Sequence, residues 1–169
     1  NINEIIRETN FTINDFEPYI PVSADGIKKD NIKVLYMGYF HKWDPQEMFY
    51  YATENTGFMP NEERTEGSYS KYSGIDDKMD TLHYFTYYIK FGLGRASYDA
   101  SQEVRTGKID REEAVALVRQ YDSEIPKKYF QDILRYLNIK ADDFWEVIDK
   151  NRPEKLWSKI DNEWKLKYP

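Results

Sequence analysis

The chain has 169 residues, a formal net charge of −6 and no cysteine, which excludes disulfides and thiolate metal sites within it. The acidic balance, with basic and acidic residues interleaved, speaks against a nucleic-acid partner. No apolar run approaches the ~20 residues of a membrane helix, and no signal peptide is visible. At 40% hydrophobic and 32% charged, the chain reads as one soluble domain long enough to bury a core, or as part of a larger protein. Its 15 tyrosines and 9 phenylalanines suit half-buried surfaces and polar ligand sites as well as a tyrosine-rich core. The lack of cysteine fits the cytoplasm, and a start at Asn1-Ile2-Asn3 fits a fragment or a processed product.

Residues 2–9 predict a short helix with Ile2, Ile5 and Ile6 on one side, and Thr12 can cap a second one through Phe16. Pro18 and Pro21 bracket an extended segment. Residues 32–40, IKVLYMGYF, are almost continuously apolar and predict a strand buried on both faces. Such a strand needs partners, and the chain offers few. Asp44, Pro45 and Glu47 form a capping-box signature, so a helix is expected from Pro45 to about Asn55, with Gly57 near its end. Residues 57–74 form the longest polar loop, a type that is often functional.

Asp76 or Asp77 is expected to start a helix through about Lys90, with Met79, Leu82, Phe85 and Ile89 as its apolar stripe. Tyr84, Tyr87 and Tyr88 widen that stripe, so burial on most sides is expected. Gly92 and Gly94 then interrupt the pattern, and a new helix is predicted over 96–106, ended by Gly107. Asp110 and Glu113 form a second capping box, followed by Ala114, Val115, Leu117, Val118 and Tyr121 at helical spacing. Further helices are expected at 126–137 and 141–151, and the tail, with Trp157 and Trp164, as a short helix plus an extended end. The fold class is mostly α with a small β element, divided at 1–43 and 44–169.

The stretch Lys90–Arg105, KFGLGRASYDASQEVR, holds the main candidate site. A glycine turn at a helix N-terminus offers N–H groups and the positive end of the helix dipole. With Lys90, Arg95 and Arg105 nearby, that suits a phosphate or carboxylate; a C-cap and a tight turn would explain the same glycines. Asp76 and Asp77 suit either a cation or helix capping. Lys71 is within reach of a phosphate or simply solvated. Asp99 and Glu103, four apart, can orient Arg95 or Arg105. His83 reads as a partly buried histidine rather than a base. No Walker loop, nucleophile elbow or histidine pair at metal spacing is present.

Three longer segments carry a resemblance: LYMGYFHKWDPQEMFYYATENTGF, RTEGSYSKYSGIDDKMDTLHYF and YIKFGLGRASYDASQEVRTGKIDREEAVALVRQYD. Through them the chain resembles the C-terminal part of the N-acetyl sugar amidotransferases of lipopolysaccharide, O-antigen and related surface-glycan biosynthesis. The resemblance implies an α/β PP-loop ATP-pyrophosphatase (adenine nucleotide alpha hydrolase-like). Such an enzyme adenylates the N-acetyl oxygen of a nucleotide-activated sugar, and ammonia from a separate glutaminase subunit then displaces AMP to leave an acetamidino group. ATP and Mg²⁺ are implied as cofactors. The family's SGGKDS-type phosphate loop and its cysteine cluster are absent here, so the chain alone is not expected to be active. Strand 32–40 would then be a late strand of the nucleotide-binding sheet.

Positions matching the family are Lys42, Trp43, Asp44, Ser70, Lys71, Tyr72, Asp76, Asp77, Lys90, Gly92, Gly94, Arg95, Asp99 and Arg105. On this resemblance Lys90 and Arg95 meet phosphates, with Lys42 and Arg105 as further candidates. Asp76 and Asp77 hold Mg²⁺ or orient those cations, and Lys71 closes over the substrate. Asp44, Gly92, Gly94 and Asp99 support them. The alternative is a non-catalytic helical module for docking the glutaminase or for self-association, which the tyrosines and the aromatic helix 77–90 suit equally.

Overall fold

The computed structural model describes residues 2–168. The chain packs as two compact units, Asn1–Trp43 and Asp44–Pro169. It is mostly helical, with one small antiparallel sheet among the described residues. No helix among them is long and apolar enough to cross a membrane.

The first unit holds α1 (Ile2–Glu8), a 3-10 helix at Ile13–Tyr19, α2 (Ala24–Lys29) and a 3-10 turn at Met37–Tyr39. Asp15 fixes the start of the first 3-10 helix, its carboxylate accepting from Thr12 N at 2.7 Å and Thr12 Oγ1 at 2.8 Å. Ser23 caps α2 by accepting from Gly26 N. The strand expected at 32–40 is absent: residues 32–36 have no regular structure and Met37–Tyr39 is 3-10. A strand is stable only as part of a ladder, and these residues find no ladder partner among the described residues. Instead of being buried, Val34 and Tyr36 are each 80% exposed.

The second unit opens with α3 (Pro45–Thr56), where Asp44 accepts from Glu47 N at 3.2 Å. Only half of the expected box forms, because the Glu47 carboxylate turns to Lys108 Nζ at 2.9 Å. Helices α4 (Asp80–Phe91), α5 (Arg95–Thr106), α6 (Arg111–Tyr121), α7 (Phe130–Leu137) and α8 (Ala141–Lys150) follow. Asp110 and Glu113 close a complete capping box on α6, and α5 packs against α6. Helix α4 starts three residues after Asp77, whose carboxylate accepts from Met79 N at 2.7 Å. Helix α7 starts at Phe130 rather than 126, since Glu66 accepts from the backbone N–H groups of Lys127 and Lys128 and holds that stretch as a turn.

The expected terminal helix is replaced by a hairpin, β1 (Trp157–Ile160) with β2 (Glu163–Leu166). Its two turn residues, Asp161 and Asn162, have φ of 51° and 64°, the left-handed pair that a two-residue hairpin needs. The core joins Leu82, Phe85 and Ile89 of α4, Ile133 and Leu134 of α7, Phe144 and Ile148 of α8, and Trp157 of β1. Of the stripe read on α4, Leu82, Phe85 and Ile89 are buried, while Met79 precedes the helix and is half-buried. Burial on most sides is not observed, because His83, Tyr87 and Phe91 on that helix are exposed.

Candidate functional site

The turn between α4 and α5 shapes the site, and its two glycines serve different needs. Gly92 is the left-handed C-cap of α4 at φ 72°, donating to Tyr88 O at 2.8 Å. Gly94, the N-cap of α5, has ordinary extended φ and is required for room. A Cβ there would lie 2.6 Å from Asp122 Oδ1 and 2.8 Å from its Cγ. Asp122 follows α6, is 5% exposed, and caps the start of α5 from a distance in sequence. Its carboxylate accepts from Gly94 N at 2.8 Å, Ser97 N at 2.9 Å and Ser97 Oγ at 2.5 Å. Ala96 N donates to Gly67 O at 3.1 Å. Of the N–H groups at this glycine turn, those of Gly94, Ala96 and Ser97 are therefore already taken, by a protein carboxylate and a carbonyl.

Arg95, the first residue of α5, is fixed on several sides. Its Nε donates to Asp99 Oδ1 at 2.9 Å, one terminal nitrogen to Ser73 Oγ at 3.0 Å and the other to Tyr84 OH at 3.4 Å. The guanidinium also lies over the Tyr84 and Tyr98 rings, at 5.3 and 5.2 Å. Of its five N–H donors, one on each terminal nitrogen stays uncommitted among the described residues. Asp99 in turn accepts from Ser68 Oγ at 2.6 Å. Burial pushes the Asp99 carboxyl up, while Ser68 and Arg95 pull it back. The polar loop thus works as a support. Ser68, Ser70, Ser73 and Thr65 are all buried, and Ser70 Oγ donates to Ser73 Oγ at 2.8 Å.

The loop is fastened by residues that the sequence does not single out. Arg64 makes a bidentate pair with Glu124, both bonds 2.6 Å, and Glu124 also accepts from Gly67 N at 2.8 Å. Burial opposes ionisation of Glu124, but Arg64 and the Gly67 N–H outweigh it and hold its carboxyl below the ordinary value of 4.5. Asp122 is the last residue of the third resembling segment but is not picked out within it, and Glu124 lies just beyond; as acids close after a helix both read equally as solvated charge.

Arg95 opens onto a cleft of about 520 Å³ lined by His83, Tyr84, Tyr87, Leu93, Gly94, Arg95, Ser97, Tyr98, Ser101 and Arg105. It brings together Arg95 and Arg105, and no carboxylate lines it. Arg105 is exposed and makes no ion pair with another described residue. His83 is exposed on the rim, not partly buried. Such a cleft, with two guanidinium groups, hydroxyls and aromatic faces, suits an anion attached to a ring.

The remaining candidates lie elsewhere. Lys90 is exposed, its Nζ 5.5 Å from the Phe91 ring. Lys71 donates to Glu62 O at 2.9 Å. Lys42 is exposed on the first unit. Asp44 is 2% exposed and takes Lys108 at 3.5 Å as its counter-charge. Tyr72 stacks on Phe49 at 4.7 Å, and burial, with Glu103 and Asp99 nearby, pushes its hydroxyl up to about 12. Asp76 and Asp77 line a separate cleft of about 300 Å³ with Arg64, Lys78 and Lys128. Among the described residues no three His, Asp or Glu side chains are grouped to hold a metal ion. Asp76 and Asp77 offer two carboxylates, which fits Mg²⁺ only where phosphates and water supply its other ligands.

All the residues lining the Arg95–Arg105 cleft fall within a stretch, 66–168, that matches a family model. The model is described as the C-terminal domain of LPS biosynthesis proteins of the WbpG-like type, and the match spans more than half of the chain. No curated protein matches the chain.

Proposed function

Because the chain belongs to the WbpG-like C-terminal domain family of LPS biosynthesis proteins, we propose that it is the C-terminal part of a cytoplasmic, ATP-dependent sugar amidotransferase. The reaction converts the N-acetyl group of a nucleotide-activated sugar to an acetamidino group with ammonia from a glutaminase partner. The observation that carries this reading is the convergence of Arg95 and Arg105 on one cleft that no carboxylate lines. A phosphate-bearing ligand there meets two permanent positive charges. Arg95, held by Asp99, Ser73 and Tyr84, contributes a fixed donor fork. Arg105, unpaired among the described residues, closes on the ligand from the rim. Tyr87 and Tyr98 offer ring faces to a base or a sugar. When bound, ATP and Mg²⁺ would supply activation of the amide oxygen, and Asp76 and Asp77, in their separate cleft, would help hold the metal together with phosphate and water.

The test is titration of the chain with a UDP-sugar, a CMP-sugar and ATP. Arg95→Ala and Arg105→Ala are each expected to weaken binding about tenfold or more, the loss of one charge-assisted pair. Unchanged affinity in both variants overturns the reading. A docking role for the first unit is favoured by a different observation, the exposed run from Ile32 to Phe40. Tight glutaminase binding without any nucleotide binding would support docking instead.

A further inference from the structure

The start of α5 has elements that proteins use to bind phosphate: a glycine at the N-cap, first-turn N–H groups without partners in their own helix and the positive end of a twelve-residue helix. In this chain the place is filled from within. Asp122 is 5% exposed and sends one carboxylate oxygen to Ser97 N and the other to Gly94 N and Ser97 Oγ. The carboxylate stands so close that any side chain at position 94 would overlap it. Gly94 and Ser97 line the cleft, with Arg95 between them in sequence.

We infer that Asp122 is the positioning residue of this cleft: an internal anion that occupies the helix terminus and leaves the guanidinium groups of Arg95 and Arg105 as the permanent positive charges that meet a ligand's negative charge. This rests on the reading of the cleft as an anion site. Two consequences follow from the contacts. By tying Gly94 and Ser97, Asp122 sets the first turn of α5 and with it the direction in which Arg95 leaves the helix. By supplying a negative charge at the dipole's positive end, it repels a phosphate from the backbone and displaces the binding position toward the side chains. The cleft therefore recognises its anion through planar, bidentate forks and not through a backbone nest.

The test follows the signals of the full chain by nitrogen–proton NMR during titration with inorganic pyrophosphate. In the wild type the Nε–H signals of Arg95 and Arg105 are expected to shift saturably, and the Gly94 and Ser97 amides to stay still. In Asp122→Ala those two amides are expected to respond, with pyrophosphate affinity at the helix start rising about tenfold. Asp122→Asn keeps the shape without the charge and serves if the alanine variant does not fold; its amides are expected to respond as well. Wild-type amides that shift together with the arginines would overturn the inference. So would amides that remain silent in both folded variants. If the arginine signals are silent in the wild type but the amides respond in the variants, the role of Asp122 stands and the functional reading of the cleft falls.

Discussion

Gly94 and Asp122 occupy one space between them. The carboxylate that caps α5 lies where a methyl group on Gly94 would go. Gly94→Ala is expected to cost about 1–3 kcal/mol, the usual range for overpacking a filled site. Asp122→Gly removes the cap and the two nearest obstructing atoms together, leaving the backbone carbonyl oxygen of residue 122 at 3.0 Å. The double variant is therefore expected to lose less than the sum of the two single ones, as contacting residues do. Denaturant unfolding of the four proteins checks this; strict additivity would mean that the two positions do not share that space. The same residues show where sequence reading reaches its limit. That α4 ends at Gly92, just ahead of Arg95, is legible, because glycine's tolerance of φ 72° there is a local property. That Gly94 makes room for a side chain 28 residues away is not local and has no periodicity to betray it.

At the scale of elements, α5, α6 and α8 lie close to where apolar spacing and capping residues place them, and the α4 stripe of Leu82, Phe85 and Ile89 is buried as read. The strand at 32–40 and the tail fail for a common reason: strand pairing is decided between segments. The apolar run from Ile32 to Phe40 has the right composition and no ladder. The hairpin at Trp157–Leu166 is announced only by Asp161-Asn162 between two short runs, a turn signal that a helix reading of the tryptophans overrides. The loop from Gly57 to Met79 is ordered by long-range polar contacts, of which Arg64–Glu124 is the strongest geometrically. Its pH response can be given a sign. The Glu124 carboxyl is held below its ordinary value of 4.5, so its contribution to stability is fully present above that value and is lost as pH falls through the lower, folded-state value. Glu124→Gln is expected to lower the melting temperature at neutral pH, with the gap to wild type narrowing in acid. Amide exchange at Gly67 is expected to quicken in the variant at neutral pH. A gap that is constant across that range would show that the pair contributes by shape alone.

At the scale of the whole molecule, the two units are unequal. Among described residues, the first unit has none that is buried, while the second holds the entire apolar core. Trp157 is central to that core: it is 5% exposed, its Nε1–H donates to Ile89 O at 2.7 Å, and its ring meets Tyr88 edge-on at 5.4 Å. Trp157→Ala is expected to cost about 3–5 kcal/mol, as large buried rings do, and Trp157→Phe about 1–3 kcal/mol for the carbonyl left without its partner. Calorimetry of the two variants checks this order; equal losses would mean that a phenyl ring restores nothing of what the indole contributes. The position of Trp157 also sets an order of events during synthesis. When a nascent chain has emerged only as far as Lys150, helices α4, α7 and α8 are all out of the ribosome, yet the surface around Ile89 still lacks its cover. At about 5–20 residues per second, the hairpin follows within seconds. That interval is the window in which a chaperone would find this protein's aromatic face open, and the rate at which Asn151–Leu166 leave the ribosome governs how long the window lasts.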